Sequence, residues 1–555
     1  METPQSTFEA FATHAVTNQV PPLDVYDLWA TDAPLREAVQ RGGGGWAETT
    51  IAAYGKLAGG ELLEAGRIAN ENKPKFKPFD RFGHRIDAVE FHPAYHELMQ
   101  VAIKHGVPNF AWRHADQPGA HVARMALSFL HNQADAGTSC PLTMTYACVP
   151  ALRHQPDLAA AWLPRITAPQ YDARSVPAWD KPGNTIGMGM TEKQGGSDVR
   201  ANATRAWPLE TRGPGQLYRL IGHKWFYSAP MCDAHLVLAQ SDAGVSCFLV
   251  PRFAPDGNRN AVAIQRLKDK LGDWSNASAE VEFQNAVGWM VGEEGRGVAT
   301  ILEMVALTRQ DCMIGSASIM RRALVGAIHH ARWRKTFGKF LIDQPLMKNV
   351  LADLALESEA HTALTTRIAH AVDASARDPA QAAFARIGTA VGKYWVCKRA
   401  PAFINEAQEC LGGNGYIEEA PLARLYRQAP LNSIWEGSGN IQCLDVLRAA
   451  GREPDSRAAL FAELAAARGG HPALDAEIKY LKTCMDDTDT LDLRARRITE
   501  RLALALQAAI LVRAGSRPVA DAFCETRLAG NHGAAFGTLP AHAPLDVLIE
   551  RAFPA

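Results

Sequence analysis

One acidic residue, Glu436, lies in a segment that has the composition of a closed loop. The segment is Asn432-Ser-Ile-Trp-Glu-Gly-Ser-Gly-Asn440, so a tryptophan precedes the acid and a Gly-Ser-Gly run follows it. Burial in such a loop raises the pKa of a carboxyl group and makes the carboxylate a better base, which suits removal of a proton beside a carbonyl. The residues also permit a structural alternative, an acid favoured by the dipole at a helix N-terminus.

A glycine-rich segment from Gly187 to Asp198 carries groups that bind phosphate or carbonyl oxygen atoms. Its glycines let main-chain N–H groups approach a ligand closely, and the hydroxyls of Thr191 and Ser197 can donate hydrogen bonds. The spacing is not Gly-x-Gly-x-x-Gly, so a nicotinamide-binding fold is not supported. Because Gly, Ser and Asp runs mostly build loops, a plain turn is the alternative.

Two later segments hold aromatic and basic side chains that suit a flat, charged cofactor. The run Trp225-Phe-Tyr227 lies in a predicted strand, where the rings either alternate between core and surface or form a wall against a flat ring. Arg334-Lys-Thr-Phe-Gly338, followed by Gln344, closes a long predicted helix. This segment is either a C-cap with favourable charges or a holder for a pyrophosphate through Arg334 and Thr336.

The period of the hydrophobic residues predicts the elements that must position these segments. Before about residue 180, helix-period stretches alternate with Pro and Gly breaks, and between 186 and 290 apolar residues recur with period two. Long helix-period segments are predicted at 298–332, 345–371, 381–411, 456–485 and 491–515. The fold class predicted is mainly α with a central β domain. The predicted units are 1–185, mostly helical; 186–292, a β domain; 293–448, a helical bundle; and 449–555, an appended helical domain beyond a linker at 451–454.

Composition and charge exclude several classes of function. The chain has 555 residues and a formal net charge of -1, so no global field attracts it to nucleic acid or to an anionic membrane. No Lys or Arg precedes Arg36, and the longest lipid-like stretch, 502–512, is shorter than the ~20 residues of a membrane span. The ten cysteines include no CxxC pair and the adjacent His329-His330 cannot share a helix face, so no metal site is predicted. These features predict a cytoplasmic protein without a membrane anchor.

Together and in this order, the segments resemble the acyl-CoA dehydrogenase superfamily over about residues 80 to 448. The resemblance implies an acyl-CoA dehydrogenase-like core, an FAD cofactor, and a homotetramer built as a dimer of dimers. The FAD-binding residues that it implies are Met188, Met190, Thr191, Gly196, Ser197, Phe226, Tyr227, Ser228, Arg334, Thr336, Phe337, Gln344, Gly412, Gly413, Trp435, Gly437, Ser438 and Asn440. In the superfamily, the Arg-Lys-Thr-Phe-Gly segment and the Gly-Gly-Asn-Gly loop reach the FAD of a neighbouring subunit.

The same resemblance implies which residue acts as the base. In the superfamily the base lies either in the Tyr/Trp-Glu-Gly loop or one helix earlier, just before an Arg. At that earlier position, just before Arg309, this chain has Thr308, whose side chain cannot act as a base. The resemblance therefore assigns the role to Glu436. Glu436 would remove the α proton of an acyl thioester while a hydride leaves the β carbon for flavin N5.

Some segments narrow the resemblance to the flavoproteins of the bacterial adaptive response to DNA alkylation. They include Gly189–Asp198, Leu267-Lys-Asp-Lys-Leu-Gly272 and the additional C-terminal unit. Lys193-Gln194 stands where catabolic acyl-CoA dehydrogenases usually carry Pro-Gly, and Glu409 stands where many of them have Gln. This narrower resemblance implies weak dehydrogenase activity, binding of double-stranded DNA through the C-terminal unit, and a role in protection from alkylating agents.

The charges of the C-terminal unit do not by themselves predict DNA binding. Residues 446–555 contain 14 Lys and Arg against 14 Asp and Glu, so the unit is neutral. The arginines that DNA binding would use are Arg448, Arg494, Arg497 and Arg501. The last three lie at i, i+3 and i+7 on one helical face, a spacing that suits a row of phosphates. The alternative is a solvated face paired with Asp492 and Glu500.

Three other functions fit parts of the same sequence. A catabolic acyl-CoA dehydrogenase would share the core and lack DNA binding. A nitroalkane-oxidase-like enzyme of the same superfamily is associated with an Asp base, so Glu436 counts against it. A DNA-coating protein that uses FAD as a structural element would keep its function after Glu436→Gln, whereas a proton-abstracting enzyme would lose turnover.

Overall fold

The N-terminal part of the chain is helical, as predicted, except for one hairpin. The computed structural model describes residues 13–487 and 489–554. The helices are α1 (Ala33–Arg41), α2 (Glu48–Ala58), α3 (Glu61–Glu71), α4 (Pro93–Lys104), α5 (Phe110–Arg113), α6 (Ala120–Ala134), α7 (Ser139–Arg153) and α8 (Pro156–Ile166). Proline stands in the first turn of α1, α4 and α8, where its missing N–H costs no helical hydrogen bond. Between α3 and α4, β1 (Lys75–Phe79) and β2 (Arg85–Glu90) form a hairpin that the helical prediction omits.

The central part of the chain is a seven-stranded sheet that closes on itself, because β6 pairs with both β4 and β7. Its strands are β3 (Ile186–Gly189), β4 (Arg205–Pro208), β5 (Leu217–Ser228), β6 (Ala234–Ser241), β7 (Gly244–Pro251), β8 (Val262–Leu267) and β9 (Ser278–Val291). The period-two prediction is therefore confirmed. In the antiparallel pair of β5 and β9, Tyr218 faces Gly288, and the register shifts between Lys224 and Tyr227. This bulge changes the side on which the intervening aromatic residues stand.

The bundle that follows contains the three long predicted helices. Its elements are α9 (Gly297–Trp333), β10 (Lys335–Thr336), β11 (Lys339–Phe340), α10 (Pro345–Ala374), α11 (Pro379–Glu409), α12 (Pro421–Gln428) and α13 (Gly439–Arg452). The C-cap alternative for Gly338 is wrong, because α9 ends at Trp333 and Arg334 is already extended. Phe337 and Gly338 both have positive φ, 50° and 78°, and form the two-residue turn of the β10–β11 hairpin.

The C-terminal unit is packed on the bundle without a linker. It consists of α14 (Pro454–Ala465), α15 (Pro472–Asp486), α16 (Leu491–Ala514), α17 (Arg517–Phe523) and α18 (Leu545–Ala552). The linker predicted at 451–454 is not present, since α13 continues to Arg452 and α14 begins at Pro454. The single helix predicted at 456–485 is in fact two helices, α14 and α15, separated by a turn at Gly469.

The apolar core joins the bundle to the C-terminal unit. Leu464 of α14 and Leu502 of α16 lie in the same buried cluster as Leu364 of α10 and Phe403 of α11. A second cluster lies between α7, β3, β6 and α9, and a third fills the closed sheet. Among the described residues, no helix combines the length and the apolar character needed to cross a bilayer.

Candidate active site

A narrow pocket lies where the N-terminal helices, the β domain and the bundle meet. It is bounded by α7 and α9, by the end of β5 and by the loop between α12 and α13, and its open space is about 50 Å³. Ser228, Thr308, Trp435 and Glu436 are on its wall. The structure thus brings the end of the aromatic strand, the alternative base position and the acidic loop to one place.

Contacts from α11 and α13 fix the loop that carries Glu436. Lys393 of α11 is buried, and its Nζ donates to the carbonyl oxygens of Trp435 at 2.7 Å and Gly437 at 2.6 Å. Gln442 also donates to the carbonyl of Glu436 at 3.1 Å. Glu436 has a φ of 58°, a left-handed conformation that is unusual for a residue with a side chain. The helix α13 begins only at Gly439, so Glu436 lies before its first turn.

The Glu436 carboxylate faces α9. The hydroxyl of Thr308 donates to Glu436 Oε2 at 2.8 Å. Arg309 donates to the Glu436 carbonyl at 2.9 Å and to Asp445 Oδ2 at 2.8 Å, so its charge is directed at Asp445. Burial raises the pKa of Glu436, and the Thr308 hydrogen bond with the charges of Lys393 and Arg309 offsets only part of that rise. The result is a desolvated carboxylate with increased basicity.

Thr308→Val tests the link between this hydrogen bond and the basicity of Glu436. The hydroxyl stabilises the charged carboxylate, so its loss raises the pKa of Glu436 further. A base must be ionised to accept a proton, and we therefore expect the rise of kcat/KM with pH to move to higher pH. Thr143→Val is the matched control, since Thr143 lines the same pocket and donates to Asp311 at 2.6 Å. If kcat/KM rises at the same pH in Thr308→Val as in the unsubstituted protein, this account is contradicted.

A buried ion pair supports the pocket wall opposite the loop. Arg124 of α6 makes a two-pronged contact with Asp311 of α9, and both side chains are almost fully buried. Arg124 Nε also donates to the Val107 carbonyl at 2.8 Å, and the guanidinium lies 3.7 Å from the centre of the Tyr146 ring. These bonds hold α6, α7 and α9 at fixed positions around the pocket.

A second buried ion pair anchors the glycine-rich segment. Lys224 Nζ on β5 donates to Glu192 Oε1 at 2.8 Å, and neither side chain is exposed. Glu192 also accepts from the main-chain N–H groups of Ala203 at 2.6 Å and Thr204 at 3.2 Å. Burial opposes ionisation of Glu192, but the Lys224 charge and these donors outweigh it and lower the pKa of Glu192 to about 2. The ion pair therefore fixes the position of the segment against β5.

The glycine-rich segment has donors available for a ligand. Within the described residues, the hydroxyls of Thr191 and Ser197 make no hydrogen bond to the protein. Gly196 lies so close to Thr191 that a Cβ there would be 2.4 Å from the Thr191 hydroxyl oxygen. Met188 belongs to the apolar cluster between α7 and α9, and Met190 and Trp435 pack against that cluster. The segment and the Glu436 loop thus share one apolar support.

The three aromatic residues of β5 do not form a common wall. Tyr227 is 2% exposed and stacks on His235 with a centroid distance of 3.8 Å inside the β domain. Its ring is therefore unavailable to a cofactor, and only its main chain remains for that role. Phe226 is exposed, and the ring of Trp225 is covered by Lys268 Nζ at 3.4 Å from the centroid. The bulge in β5 accounts for this division, since it leaves two neighbouring residues outside the core.

Several predicted cofactor residues stand away from the pocket on the surface of the single chain. Phe337 is 99% exposed at its hairpin tip, and Gly412 and Gly413 are exposed with open space around them. Arg334 donates to the Asn18 carbonyl at 2.7 Å. Thr336 lies in the same hairpin, and its carbonyl accepts from Gln344 at 3.1 Å. Gly437, Ser438 and Asn440 instead follow the pocket residue Glu436 at the start of α13.

The arginine face of α16 is partly neutralised. Arg501 makes a two-pronged ion pair with Glu477 of α15, and Arg494 donates to the carbonyls of Asp487 and Asp489, both at 2.7 Å. Arg497 and Arg448 are exposed, with no ion pair to another described residue. The acids that pair are therefore not the predicted Asp492 and Glu500.

Sequence reasoning missed Lys393, the partner role of Thr308 and the Arg124–Asp311 pair. Lys393 and Arg124 lie within predominantly apolar helical segments. The only feature of the sequence that could have identified them is a charged residue at a position predicted to be buried. A buried charge requires a partner, so such a position marks a contact with a distant segment.

Comparison with known proteins places these features in a family. Family models match at residues 18–173 (adaptive response protein AidB, N-terminal domain), 187–286 (acyl-CoA dehydrogenase, middle domain) and 295–451 (acyl-CoA dehydrogenase, C-terminal domain). The putative acyl-CoA dehydrogenase AidB of Escherichia coli (strain K12) is 47% identical over 518 residues, which are 93% of this chain and 94% of that protein.

Solved structures agree with this match. The crystal structure of Caenorhabditis elegans ACDH-11 in complex with C11-CoA has a TM-score of 0.84 at 26% identity, and covers 93% of this chain and 94% of that chain. An acyl-CoA dehydrogenase of Bacillus anthracis complexed with FAD has a TM-score of 0.66 and covers 91% of this chain and 84% of that chain. Its identity is 16%, so it supports the fold alone.

The fold and the acidic pocket define an acyl-CoA dehydrogenase, a class of flavin-dependent oxidoreductases. Three units follow one another in the order of that class, and the carboxylate lies in the loop before α13. Within the class, the chain belongs to the AidB family, because the AidB N-terminal model matches and the 47% identity extends over nearly all of both chains.

Proposed function

We propose that this protein is an FAD-dependent acyl-CoA dehydrogenase in which Glu436 removes the α proton of an acyl thioester. The observation that carries the proposal is the partly buried Glu436 carboxylate, which accepts from Thr308 at 2.8 Å on the wall of a narrow pocket. The relative ACDH-11 has been solved with an acyl-CoA, which supports the ligand class. A protein that uses FAD only as a structural element has no need for such a carboxylate.

The residues present fit FAD. The free hydroxyls of Thr191 and Ser197 and the close Gly196 main chain suit phosphate or flavin carbonyl oxygens. When bound, FAD supplies the acceptor for the hydride that leaves the β carbon. The chain's own residues do the rest: Glu436 takes the α proton, and Thr308 orients the carboxylate. The electron pair of the β C–H bond leaves with the hydride, the pair of the α C–H bond forms the new double bond, and the product is an enoyl thioester.

Anaerobic mixing of the FAD-loaded protein with butyryl-CoA tests this function. We expect the oxidised-flavin absorbance to fall as the thioester is oxidised, even if turnover is slow. A spectrum that remains oxidised with every thioester from propionyl-CoA to octanoyl-CoA would contradict dehydrogenase function and favour the structural-FAD alternative.

We also propose a homotetramer in which a neighbouring subunit covers the exposed hairpin tip and glycine loop. The 99% exposure of Phe337 and the open space at Gly412 and Gly413 support it, since a fully exposed aromatic side chain favours a partner. Sedimentation of the FAD-loaded protein distinguishes a tetramer from a dimer or a monomer. The cytoplasmic location stays a prediction.

DNA binding in an alkylation response is a further part of the proposal. The AidB family membership supports it, and so do the exposed guanidinium groups of Arg448 and Arg497, which have no ion pair within the described part of the chain. The paired states of Arg494 and Arg501 make these two residues weaker candidates, because a phosphate would have to displace a carboxylate or carbonyl partner. A catabolic acyl-CoA dehydrogenase would not bind DNA.

The double variant Arg448→Ser/Arg497→Ser tests the DNA proposal. Each lost phosphate contact lowers the slope of log affinity against log salt by about one, so we expect a slope smaller by about two and weaker binding to every duplex sequence. A fluorescence titration with double-stranded DNA at several salt concentrations measures both quantities. The control is Arg205→Ser, an exposed arginine of the β domain. Full-length protein that binds no DNA at low salt would refute the proposal.

A further inference from the structure

The catalytic pocket contains two buried polar side chains that the protein itself leaves unsatisfied. Asp273 is 6% exposed and Gln428 is 3% exposed, and both lie on the same pocket wall as Glu436. Within the described residues, Asp273 Oδ1 and Gln428 Nε2 have no hydrogen-bond partner. Leaving a buried polar atom without a partner is costly, so two such atoms on one pocket wall point to a bound polar group that satisfies both.

These two side chains come from segments that are held together. Asp273 lies in the loop between β8 and β9, and Gln428 is the last residue of α12. The loop is pressed against α12, because a Cβ on Gly272 would lie 2.7 Å from the carbonyl oxygen of Arg427. Arg424, one turn earlier on α12, also has two nitrogens without a partner among the described residues.

The charges around Asp273 leave it without a close ion pair. Lys270, Arg424 and Asp135 are the charged groups that act on it. Lys270 Nζ donates instead to the Asn276 carbonyl at 2.8 Å, and Asp135 is occupied by Ser275 and Thr138. Burial raises the pKa of Asp273 to about 6, with Lys270 and Arg424 opposing that rise.

The size of the pocket limits what can reach these groups. Its open space of about 50 Å³ corresponds to about four water-sized groups. The space suits an acyl group of four or so heavy atoms beyond the carbonyl.

We propose that this protein acts on thioesters of short acyl groups that end in a hydroxyl or carboxamide, which hydrogen-bonds to Asp273 and Gln428. The inference rests on the proposed function and names its substrate class. The Asp273 carboxyl oxygen accepts and the Gln428 amide donates, so a terminal group that does both satisfies the pair. A terminal methyl leaves both buried groups unsatisfied, and sites of this kind strongly reject a ligand that lacks the polar group.

The test uses two thioesters with the same number of heavy atoms. These are 4-hydroxybutyryl-CoA and pentanoyl-CoA, which differ only in a terminal hydroxyl or methyl. Their binding to the full-length, FAD-loaded Glu436→Gln variant is measured by calorimetry, so that turnover does not intervene. The reduction of flavin by each thioester is measured in the unsubstituted protein. We expect 4-hydroxybutyryl-CoA to bind at least about tenfold more tightly and to reduce the flavin faster.

Substitutions then identify the residues that set this preference. Asp273→Leu and Gln428→Leu should each remove or reverse the preference, whereas Met144→Leu, an apolar exchange on the same wall, should preserve it. If Asp273→Leu does not fold, Gln428→Leu and the comparison of the two thioesters still decide the question.

Two outcomes would overturn the inference in distinguishable ways. Equal binding of the two thioesters, with flavin reduced by both, means that water alone satisfies Asp273 and Gln428, and the proposed function stands. Failure of both thioesters to bind or to reduce the flavin, together with the absence of reduction by unsubstituted acyl-CoA, removes the proposed function and the inference with it.

Discussion

Glu436→Gln is expected to slow flavin reduction by an acyl-CoA by about 10²–10⁴-fold, the usual contribution of a positioned general base. The amide keeps the size of the side chain and still accepts from Thr308, but it cannot hold the α proton. Stopped-flow measurement of flavin reduction under anaerobic conditions gives the rate directly. The control is Glu210→Gln, an exposed acid of the β domain. An unchanged rate in Glu436→Gln protein that retains FAD would remove Glu436 from the mechanism.

Moving the carboxylate from residue 436 to residue 308 should restore part of the activity. The Thr308 hydroxyl already touches the Glu436 carboxylate at 2.8 Å, so a carboxylate placed on residue 308 reaches the same region of the pocket. We therefore expect Thr308→Glu in the Glu436→Gln background to recover part of the lost rate. Thr143→Glu in that background adds an acid elsewhere on the pocket wall and should not recover it.

Breaking the buried Glu192–Lys224 pair should cost about 3–5 kcal/mol of unfolding free energy and most of the FAD affinity. Lys224→Met leaves the Glu192 carboxylate without its cation, and Glu192→Gln leaves an uncompensated buried ammonium group. The double variant should be more stable than Lys224→Met, because it contains no unpaired buried charge. Urea unfolding and the FAD content of the purified protein measure the two effects.

A surface pair of the same residue types provides the control. Lys77 and Glu90 on the β1–β2 hairpin pair at 2.5 Å with about half of each side chain exposed, so Lys77→Met should change stability by less than about 1 kcal/mol.

The buried pair also has a pH signature. Since folding lowers the pKa of Glu192 from 4.5 to about 2, its stabilisation is complete above pH 4.5 and is lost as the pH falls towards 2. Similar losses of unfolding free energy in Lys224→Met and Lys77→Met would contradict the account.

The sequence predicted the long elements well because their periodicity continues over many residues. The three helices of the bundle were expected at 298–332, 345–371 and 381–411, and each observed helix differs by only a few residues. Short elements carry less signal: the β1–β2 hairpin has five or six residues per strand, and the break at Gly469 interrupts a run of Ala and Leu that resembles one helix.

The candidate site was predicted in part for a similar reason. The composition of the loop around Glu436 and the resemblance of its motif pointed to that residue. Its partners Thr308 and Lys393 are distant in sequence, and only the packing of α9 against α11 brings them to the loop. The arginines of α16 were predicted to pair with acids of the same helix. Arg501 pairs instead with Glu477 on the neighbouring helix α15, a contact that helical spacing alone does not reveal.

Exchange of the α hydrogen of an acyl-CoA with deuterium from D₂O is the most direct test of proton abstraction by Glu436. The measurement is made by mass spectrometry of butyryl-CoA incubated anaerobically with the FAD-loaded protein, and it does not depend on complete turnover. The account predicts incorporation of deuterium at the α carbon with the unsubstituted protein and background incorporation with Glu436→Gln. Equal incorporation with the two proteins, or none with either, would contradict it.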